Sequence, residues 1–557
     1  MSQHAQRGLR VAIILLLAVI ISLLIWLWSL SAPHAVVDTG AARIDCLSYA
    51  PFRRPGTSPF VSNAYVSPKD IRADLLALKP YTDCVRTYSV DQGLDAVPAI
   101  AASLDMRVML GVWINRDPAH NQKEIQHALS IVGETPKAIV AIVVGNEVLL
   151  RREQTSTTLA GLIQQVRSAT DIPVTYADVW EFWLQNRQLA SAVDFVTVHI
   201  LPYWEDEPVA VANAVAHVLV TFTQMTAEFP GHRLMIGETG WPSAGRMRGP
   251  ARPGSVEQAR FVREWVREAS VAGIDYNLIE AFDQPWKRQL EGAMGGHWGI
   301  LDHNAEPKFA WQGPVVEQPG ILRQAIIAAV LCLPLFVSVA WSIGRRLTGR
   351  RPARRILLLA GLLGLLSGLL LPYQWLYLVT WNRGVLEWGA GALYAISGLL
   401  GAVLMATVLD MSQALPGVSA GAASTGDAAH RRLHKLVQGW AWLRLAWIFG
   451  CALFVLLHVF DPRYRGYPII LYVLPTLALL LPHLYGLGVP RDAVQERLLA
   501  LCVIAGLPIV LLGELPGNTQ ALGFALLVAV MGLLVVWPND ASPSKPSRVP
   551  KAPGSTA

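Results

Sequence analysis

Charged residues are scarce in this chain of 557 residues: only 15% are Asp, Glu, Lys or Arg, whereas 53% are hydrophobic. Soluble globular domains usually carry about a quarter charged residues. The composition therefore excludes a wholly soluble protein, and the length exceeds that of one ordinary domain. We expect at least one soluble domain together with a membrane-embedded portion.

Basic residues are fewer than acidic residues in the region that follows the first apolar run. Residues 31–319 contain 32 Asp and Glu against 25 Lys and Arg, although the whole chain has a net charge of +6. The excess of positive charge thus belongs to the segments that flank the apolar runs, where basic residues orient membrane helices. Such a distribution does not form a nucleic-acid-binding surface, and no nucleic-acid partner is expected.

Cysteine is also rare, with five residues. Cys332, Cys451 and Cys502 lie within apolar spans, where burial among hydrophobic side chains is the simplest explanation. Cys46 and Cys84 lie in the soluble region and could form a disulfide in an oxidising compartment, but nothing resembles a disulfide framework. We therefore expect two buried thiols, with the disulfide as the alternative.

Motifs for cofactors are missing from the sequence. The 13 histidines are scattered, without an H-E-x-x-H pattern or paired Cys/His spacing, so no metal site is predicted. No glycine-rich phosphate loop is found either, which argues against an enzyme that consumes a nucleotide-activated substrate. We expect no cofactor.

Long apolar runs are abundant. Residues 11–30 are uncharged, follow Arg7 and Arg10, and could cross roughly 30 Å of hydrocarbon as a helix. We interpret them as an uncleaved signal anchor, and a signal peptide cleaved near "SAPHA" is the alternative. Seven further apolar spans follow, at residues 325–343, 356–372, 388–408, 440–460, 468–489, 498–514 and 521–537.

Two clusters of basic residues predict the orientation of these spans. One lies between the second and third spans and the other between the fourth and fifth, and the positive-inside rule makes both loops cytoplasmic. The clusters are Arg345, Arg346, Arg350, Arg351, Arg354 and Arg355, and Arg431, Arg432 and Lys435. With eight spans both termini would be cytoplasmic, and the soluble region would face the periplasm of a bacterial inner membrane.

The predicted organisation has four parts. Residues 1–34 form the cytoplasmic N-terminus and anchor, and residues 35–315 form the periplasmic domain. A seven-helix membrane domain follows at 320–538, and a Pro/Ser-rich disordered cytoplasmic tail with Lys545, Arg548 and Lys551 occupies 539–557.

The soluble region alternates between apolar, β-branched runs and helix-like stretches, one of which starts at Ser67 and Pro68. The eight runs lie at 44–49, 82–88, 106–113, 139–145, 173–178, 193–199, 233–238 and 274–282. Eight strand–helix units in a region of this size predict an α/β fold, a (β/α)₈ TIM barrel, followed by the all-α polytopic membrane domain. A doubly wound open sheet is the alternative.

Two glutamates come directly after predicted buried strands. Glu147 in "VGNEVLLR" ends the fourth strand, and Glu238 in "IGETGWPS" ends the seventh. In a barrel the carboxyl ends of the strands converge, so the two side chains should be close in space. Glycoside cleavage requires such a pair, because one carboxyl group protonates the departing oxygen while the other stabilises or attacks the anomeric carbon.

"VVGNEVLLR" and "IGETGWPS", in this order, resemble glycoside hydrolase family 17, a family of β-1,3-glucanases. The resemblance covers residues 42 to about 312. It implies a retaining enzyme with Glu147 as acid/base and Glu238 as nucleophile, and it implies that Asn146 bonds the 2-hydroxyl of the sugar. The alternative for Gly145-Asn146-Glu147 is a turn that merely ends a strand.

The same resemblance implies further substrate-binding residues. Arg86 and Tyr88 in "VRTYS" match the family's second strand, where a cation and a phenol lie near the nucleophile, although either could be structural. Tyr203 matches a tyrosine after the sixth strand and is a candidate hydrogen-bond partner for Glu238.

Other side chains are candidates for contact with sugar. Trp241 and Trp298 could stack on sugar rings, although Trp241 could equally be a core residue, and His199 is expected to be a buried barrel histidine. The segment of the eighth predicted strand that begins at Glu280, "EAFDQPWKRQLEGAMGGHWGILD", departs from the plant glucanases and is closer to the microbial branch. Its candidates for the floor of the cleft are Glu280, Phe282, Gln284, Trp286 and Lys287.

The membrane attachment suggests work on a glucan as it emerges from a membrane synthase. The chain resembles bacterial membrane proteins that make branched or cyclic β-(1,3),(1,6)-glucans, often named β-(1,6)-glucan synthases. We predict a β-1,3-glucan transglycosylase or trimming hydrolase, with β-glucan, the lipid bilayer and a membrane glucan synthase as partners. The alternatives are a glucan transporter or flippase, for which Arg444, His458 and Glu514 lie only near span ends, and a sensor with an inactive barrel.

Overall fold

A computed structural model of the chain describes residues 3–348, 351–408, 428–485, 489, 493–514 and 517–537. The predicted disordered tail, with Lys545, Arg548 and Lys551, lies outside the described residues, as does Arg350.

The N-terminal half contains a closed barrel of eight parallel strands, arranged in chain order. The strands are β1 Cys46–Ser48, β2 Cys84–Arg86, β3 Arg107–Val112, β4 Ile139–Asn146, β5 Val174–Val179, β6 Val196–His199, β7 Leu234–Thr239 and β8 Tyr276–Leu278. Each one overlaps a strand predicted from the sequence. The prediction of a TIM barrel is confirmed, and the doubly wound alternative is wrong.

Helices surround the barrel and connect its strands. Before the barrel comes α1 Gln3–Ser31, and the connecting helices are α2 Pro68–Leu78, α3 Val97–Ala102, α4 Pro118–Glu134, α5 Ser156–Arg167, α6 Trp180–Gln185, α7 Val211–Glu228, α8 Ser255–Ala272 and the short α9 Arg288–Glu291. Ser67, Asp117 and Thr155 each accept a hydrogen bond from an N–H in the first turn of the helix that follows. These caps satisfy N–H groups that have no partner within the helix, so they fix where α2, α4 and α5 begin.

One layer of the barrel interior is filled by small and flexible side chains: Cys46, Cys84, Met109, Ala141, Val143, Ala177, Phe195 and Met235. Cys46 and Cys84 form a disulfide, with their Cα atoms 4.5 Å apart. The expectation of two thiols is therefore wrong. Leu47 pairs with Val85 in the parallel β1–β2 register, so the two cysteines before them are lateral neighbours at a distance that suits a disulfide.

The C-terminal part is a bundle of apolar helices. They are α10 Ile321–Thr348, α11 Arg354–Thr380, α12 Val385–Val408, α13 Ala428–Phe460, α14 Ile469–Leu484, α15 Val494–Leu512 and α16 Thr519–Val536. Within the described residues, seven helices are long and apolar enough to cross a membrane, including α1, whereas α14 has only 16 residues. Their placement in a bilayer stays a prediction.

Helix α1 belongs to the same bundle. Its buried face, with Leu16, Ile20 and Leu27, shares one hydrophobic core with the C-terminal helices. Just outside the bundle, Pro33–His34 pairs in antiparallel fashion with Val315–Val316. The chain thus enters and leaves the barrel at neighbouring points.

The loops at the carboxyl ends of the barrel strands rest on one end of the bundle. Arg246 forms an ion pair with Glu514, His297 Nε2 lies 3.0 Å from the carbonyl oxygen of Thr380, and Arg288 donates to the carbonyl of Val379 at 2.9 Å. These bundle residues lie next to the α11–α12 and α15–α16 connections. Both connections are outward-facing in the orientation that the basic loops predict.

Candidate active site

The ends of β4 and β7 are irregular. Val143 pairs with Thr175, and the next pair is Asn146 with Ala177. Between these pairs β4 advances by three residues and β5 by two, which makes a bulge in β4. Between β6 and β7 the register shifts in the same way just before Glu238. A bulge re-aims the side chain that follows it, and bulges are common beside active sites.

The backbone around Glu147 is strained. Glu147 has φ 50° and the preceding Gly145 has φ 85°, both in the left-handed region. A Cβ atom on Gly145 would lie 2.7 Å from Cγ2 of Val148. Non-glycine residues rarely adopt this conformation, and such strain is concentrated at functional sites.

Glu147 and Glu238 both line a cavity of about 960 Å³ at the carboxyl ends of the strands. One carboxylate oxygen of each lies within 4.8 Å of the other, and a ring nitrogen of His199 lies within the same distance of both. Three such groups could hold a cation geometrically. However, the buried guanidinium of Arg86 already faces Glu238 at 3.3 Å, and a second cation beside it would be repelled.

A directed chain of hydrogen bonds ends on Glu238. Tyr88 donates to Glu238 Oε1 at 2.8 Å, so its hydroxyl oxygen is left to accept from Ser48 Oγ, also at 2.8 Å. Ser48 in turn accepts from Nδ2 of Asn277 at 2.5 Å. Together with Arg86, this chain holds one oxygen of the carboxylate in a fixed position.

Asn146 is oriented by two donors. Its Oδ1 accepts from Nη2 of Arg86 at 2.6 Å and lies 3.1 Å from Nε2 of His199. Burial lowers the pKa of His199 to about 4, so the ring is neutral at neutral pH and we infer that Nε2 carries the proton. Since both donors hold the amide oxygen, the amide nitrogen of Asn146 remains for a ligand in the cavity.

The two glutamates have opposite pKa shifts. Burial, together with the charges of Glu238 and Asp178, raises the pKa of Glu147 to about 8, against the opposing effect of Arg151. Burial also tends to raise the pKa of Glu238, but positive charge on His199 and Arg86 and the hydrogen bond from Tyr88 lower it on balance. Because His199 is neutral near pH 7, the groups that favour the ionised form of Glu238 there are Arg86 and Tyr88. Glu147 is therefore protonated and Glu238 ionised at neutral pH.

Residues 46–299 match the family model for the BtgE/BtgC glycoside hydrolase domain. The glucan 1,3-beta-glucosidase of Schizosaccharomyces pombe is 31% identical over 258 residues, which are 43% of this chain and 79% of that protein. This chain belongs to that glycoside hydrolase family. The predicted membership of glycoside hydrolase family 17 is confirmed, and the matched segment ends before α10.

Other relatives of this glycoside hydrolase are covered to different extents. The glucan endo-1,3-beta-glucosidase btgC of Aspergillus niger is 29% identical over 271 residues, and the chain spans only 39% of its length. The crystal structure of the glycoside hydrolase family 17 β-1,3-glucanosyltransferase from Rhizomucor miehei covers 48% of this chain and 98% of its own, with 25% identity and a TM-score of 0.43. The predicted likeness to bacterial β-(1,6)-glucan synthases stays a prediction.

The glycosidase cavity brings together several of the predicted site residues. Glu147, Glu238, Asn146, Tyr88, Lys287, Trp286 and Trp298 line it. Arg86 lies just behind the wall, 1% exposed, where it touches Glu238 and Asn146. Their roles in binding and catalysis stay predictions.

Three predictions about the floor of the cleft are wrong. Glu280 is 1% exposed and is not part of the cavity wall; it lies beneath Lys287, whose Nζ donates to it at 2.9 Å. Phe282 is fully buried and packs edge-on against Tyr49. Gln284 is also buried and donates to the carbonyl of Ala50. The chain after β8 turns these side chains into the core of the barrel.

Tyr203 and Trp241 are also not where the family resemblance suggested. The Tyr203 hydroxyl donates to the carbonyl of Arg246 at 2.7 Å, and not to Glu238. Trp241 is fully buried, donates to the carbonyl of Arg252 and stacks on Phe261 of α8. Both rings are buried, Tyr203 among Trp204, Trp241 and Trp298 and Trp241 against α8, so the interpretation of Trp241 as a core residue is correct.

Sequence reasoning missed part of the cavity wall. Aromatic residues that line the cavity without having been predicted include Phe60, Trp113, Trp204 and Tyr464. Trp113 directly follows β3 and Trp204 follows β6, so their positions after strand ends were a usable signal. For Ser48 and Asn277 the only signal in the sequence was a polar residue within a strand that is otherwise apolar. Tyr464 had no signal, because it belongs to the α13–α14 connection.

Proposed function

We propose that the chain is a retaining enzyme that processes β-1,3-glucan by double displacement, with Glu238 as nucleophile and Glu147 as acid/base. The observation that carries the proposal is the close approach of two carboxyl groups with opposite pKa shifts. Their nearest oxygens lie within 4.8 Å. Retaining enzymes hold the pair roughly 5–5.5 Å apart, whereas inverting enzymes need about 6.5–9.5 Å to accommodate a water.

In the first step the glycosidic C1–O bond breaks. Glu147 gives its proton to the departing oxygen while the Glu238 carboxylate forms a bond to C1. The Tyr88 and Arg86 contacts keep Glu238 ionised and aimed, and the Asn146 amide nitrogen is available to the 2-hydroxyl, where a contact that strengthens toward the transition state lowers the barrier.

In the second step Glu147 works as a base. Once Glu238 is esterified it has no charge, so the main electrostatic cause for the raised pKa of Glu147 disappears. Glu147 then takes a proton from the incoming hydroxyl as that oxygen displaces Glu238 from C1. Water in this step gives hydrolysis, and a sugar hydroxyl gives transfer.

The relatives' names support β-1,3-glucan as the substrate. The apolar helices support a location in a bacterial inner membrane, with the barrel in the periplasm, since the barrel rests on the bundle end that the basic loops predict to face outward. Under this proposal a membrane glucan synthase supplies the chain, and transfer to a 6-hydroxyl would introduce β-1,6 linkages.

The test uses the full chain in detergent with laminari-oligosaccharides. Glu238→Gln is expected to lower turnover by at least about a thousandfold, because it removes the nucleophile. Glu134→Gln is the matched control, since this exposed carboxylate ends α4 at the opposite end of the barrel. Turnover that survives Glu238→Gln would rule out this site.

The products of the same assay separate the two fates of the intermediate. Longer or β-1,6-linked oligosaccharides indicate transfer, whereas only shorter ones indicate hydrolysis.

A glucan transporter is the second candidate, favoured by one observation. Arg444 of α13 forms an ion pair with Glu496 of α15, and both side chains are at most 2% exposed. The expectation that Arg444 reaches toward the membrane surface is therefore wrong, and buried charges in membrane helices often mark transport pathways. Uptake of labelled laminari-oligosaccharide by sealed vesicles that survives Glu238→Gln but not Glu496→Gln would favour this function.

A further inference from the structure

The cavity that holds the two glutamates is not built by the barrel alone. Two of its lining residues, Arg463 and Tyr464, come from the connection between α13 and α14 of the helical bundle. The matched family segment ends at residue 299, so this part of the wall lies outside it.

We propose that Tyr464 forms a sugar-binding subsite together with Trp204 and Trp298 of the barrel, so that the helical bundle takes part in binding the glucan chain. The proposal rests on the proposed function in that it takes the ligand to be a β-glucan. It adds a subsite whose residues come from both halves of the molecule.

The three rings form a continuous aromatic surface. Trp204 and Trp298 are stacked, with ring centroids 6.4 Å apart and an interplanar angle of 12°. Tyr464 meets Trp204 edge-on, at 6.2 Å and 80°. Sugar rings present apolar C–H faces that such rings can cover, and ligand pockets commonly combine aromatic walls with a few polar groups.

Polar groups for the sugar hydroxyls lie at the same surface. The Arg463 guanidinium lies over the Tyr464 ring at 5.4 Å and lines the cavity. Trp298 is only 3% exposed, and its Nε1 has no hydrogen-bond partner among the described residues. A buried donor without a partner is costly, and a ligand hydroxyl would satisfy it.

The connection is held in place before any ligand binds. Arg246 donates to the carbonyl of Pro462 and forms an ion pair with Glu514, and both charged side chains are less than 10% exposed. Gly292 lies against Tyr464: a Cβ atom there would be 2.6 Å from the Tyr464 carbonyl oxygen. Binding would therefore not have to order the loop, which avoids an entropic cost.

Docking of the barrel does not by itself require Tyr464. Arg246 contacts the Pro462 carbonyl and Glu514, and His297 and Arg288 contact the end of α11. None of these contacts uses the Tyr464 side chain, which lines the cavity. A structural role and a binding role therefore predict different effects for its removal.

The experiment measures binding of laminarihexaose to the full chain in detergent, in the Glu238→Gln background, by isothermal titration calorimetry. Adding Tyr464→Ala is expected to weaken binding roughly tenfold, or about 1.4 kcal/mol. Tyr464→Phe keeps the ring and should stay within about twofold. Trp388→Ala is the control: this exposed aromatic at the same end of the bundle does not line the cavity, and its removal should change nothing.

A second measurement separates binding from catalysis. With Glu238 intact, turnover of dinitrophenyl β-glucoside depends only on the reacting sugar and its leaving group, so Tyr464→Ala should lower its kcat/KM by much less than that of laminarihexaose. Equal losses for this substrate and for laminarihexaose would mean that Tyr464 is structural, and unchanged hexaose affinity would mean that the subsite does not exist. Either result overturns the inference, as would no hexaose binding at all.

Failure of the proposed function has a different signature. The unmodified protein would then turn over neither the aryl glucoside nor laminari-oligosaccharides, although hexaose binding would still depend on Tyr464.

Discussion

Glu147 and Glu238 carry the same chemical group, yet their surroundings give them opposite protonation states. Glu238 is held by Arg86 and Tyr88, whereas Glu147 has the Glu238 charge as a neighbour and a raised pKa of about 8. The difference follows from two or three contacts within the cavity. The acid/base assignment is therefore testable through pH alone.

The expected kcat/KM profile against pH is bell-shaped. Activity should fall as pH drops through the pKa of Glu238, which lies below its usual value, since the nucleophile is then protonated. It should also fall as pH rises through about 8, since Glu147 then loses the proton it must donate. Initial rates with laminari-oligosaccharides across the pH range measure both limbs.

Glu147→Gln provides the check on that assignment. With dinitrophenyl β-glucoside, whose leaving group needs no proton, this variant should lose the alkaline limb and keep the acid limb. An alkaline limb that persists would assign it to another group.

Individual site residues can be predicted from the sequence where a motif places them at the end of a strand. Glu147, Glu238, Asn146 and Tyr88 all directly follow or end predicted strands, and all of them line the cavity. Tyr203 and Trp241 lie further along the loops, and Phe282 lies beyond the end of β8, which is shorter than predicted, so the direction of these side chains depends on the path of the chain. That path is set by packing against helices that a strand pattern does not specify.

At the scale of elements, the β1–β2 pair is fixed by a covalent bond as well as by its hydrogen bonds. The Cys46–Cys84 disulfide spans a sequence separation of 38 residues and lies in the barrel interior, below the catalytic layer. A strand pattern predicts both strands but not their relative register. For this reason the pairing of the cysteines could not be predicted.

Replacing both cysteines by alanine is expected to lower the free energy of unfolding of the barrel by about 2–4 kcal/mol, because the loop between them gains freedom in the unfolded chain. Thermal unfolding of the full chain, followed by tryptophan fluorescence, measures the change. Cys332→Ala is the control, since that free cysteine lies on α10 outside the barrel. Alkylation of Cys46 or Cys84 in the non-reduced protein would contradict the disulfide.

At the scale of the whole molecule, two halves that the sequence predicts separately meet at the catalytic end of the barrel. Eight apolar runs that alternate with helix-like segments predicted the barrel, and that fold class is confirmed. The docking of one half on the other leaves no periodic pattern in the sequence. Consequently neither the Arg246–Glu514 pair nor the place of Tyr464 in the cavity could be predicted, and the membrane orientation stays a prediction.

The Arg246–Glu514 pair is expected to behave as a coupled unit. Arg246→Met leaves the Glu514 charge buried without its partner, which should lower the unfolding temperature more than the double change Arg246→Met/Glu514→Gln does. A double-mutant cycle on the full chain, measured by thermal unfolding, gives the coupling. Strictly additive effects would show that the two side chains act independently.

The antiparallel contact of Pro33–His34 with Val315–Val316 brings the two ends of the barrel segment together, so the barrel is an insertion at one place in the chain path of the bundle. Helices α1 and α10 would remain packed together if a different barrel domain were inserted between them in the chain. A family member of other specificity could therefore be exchanged at this one junction, provided that its loops were fitted to the α11–α12, α13–α14 and α15–α16 connections.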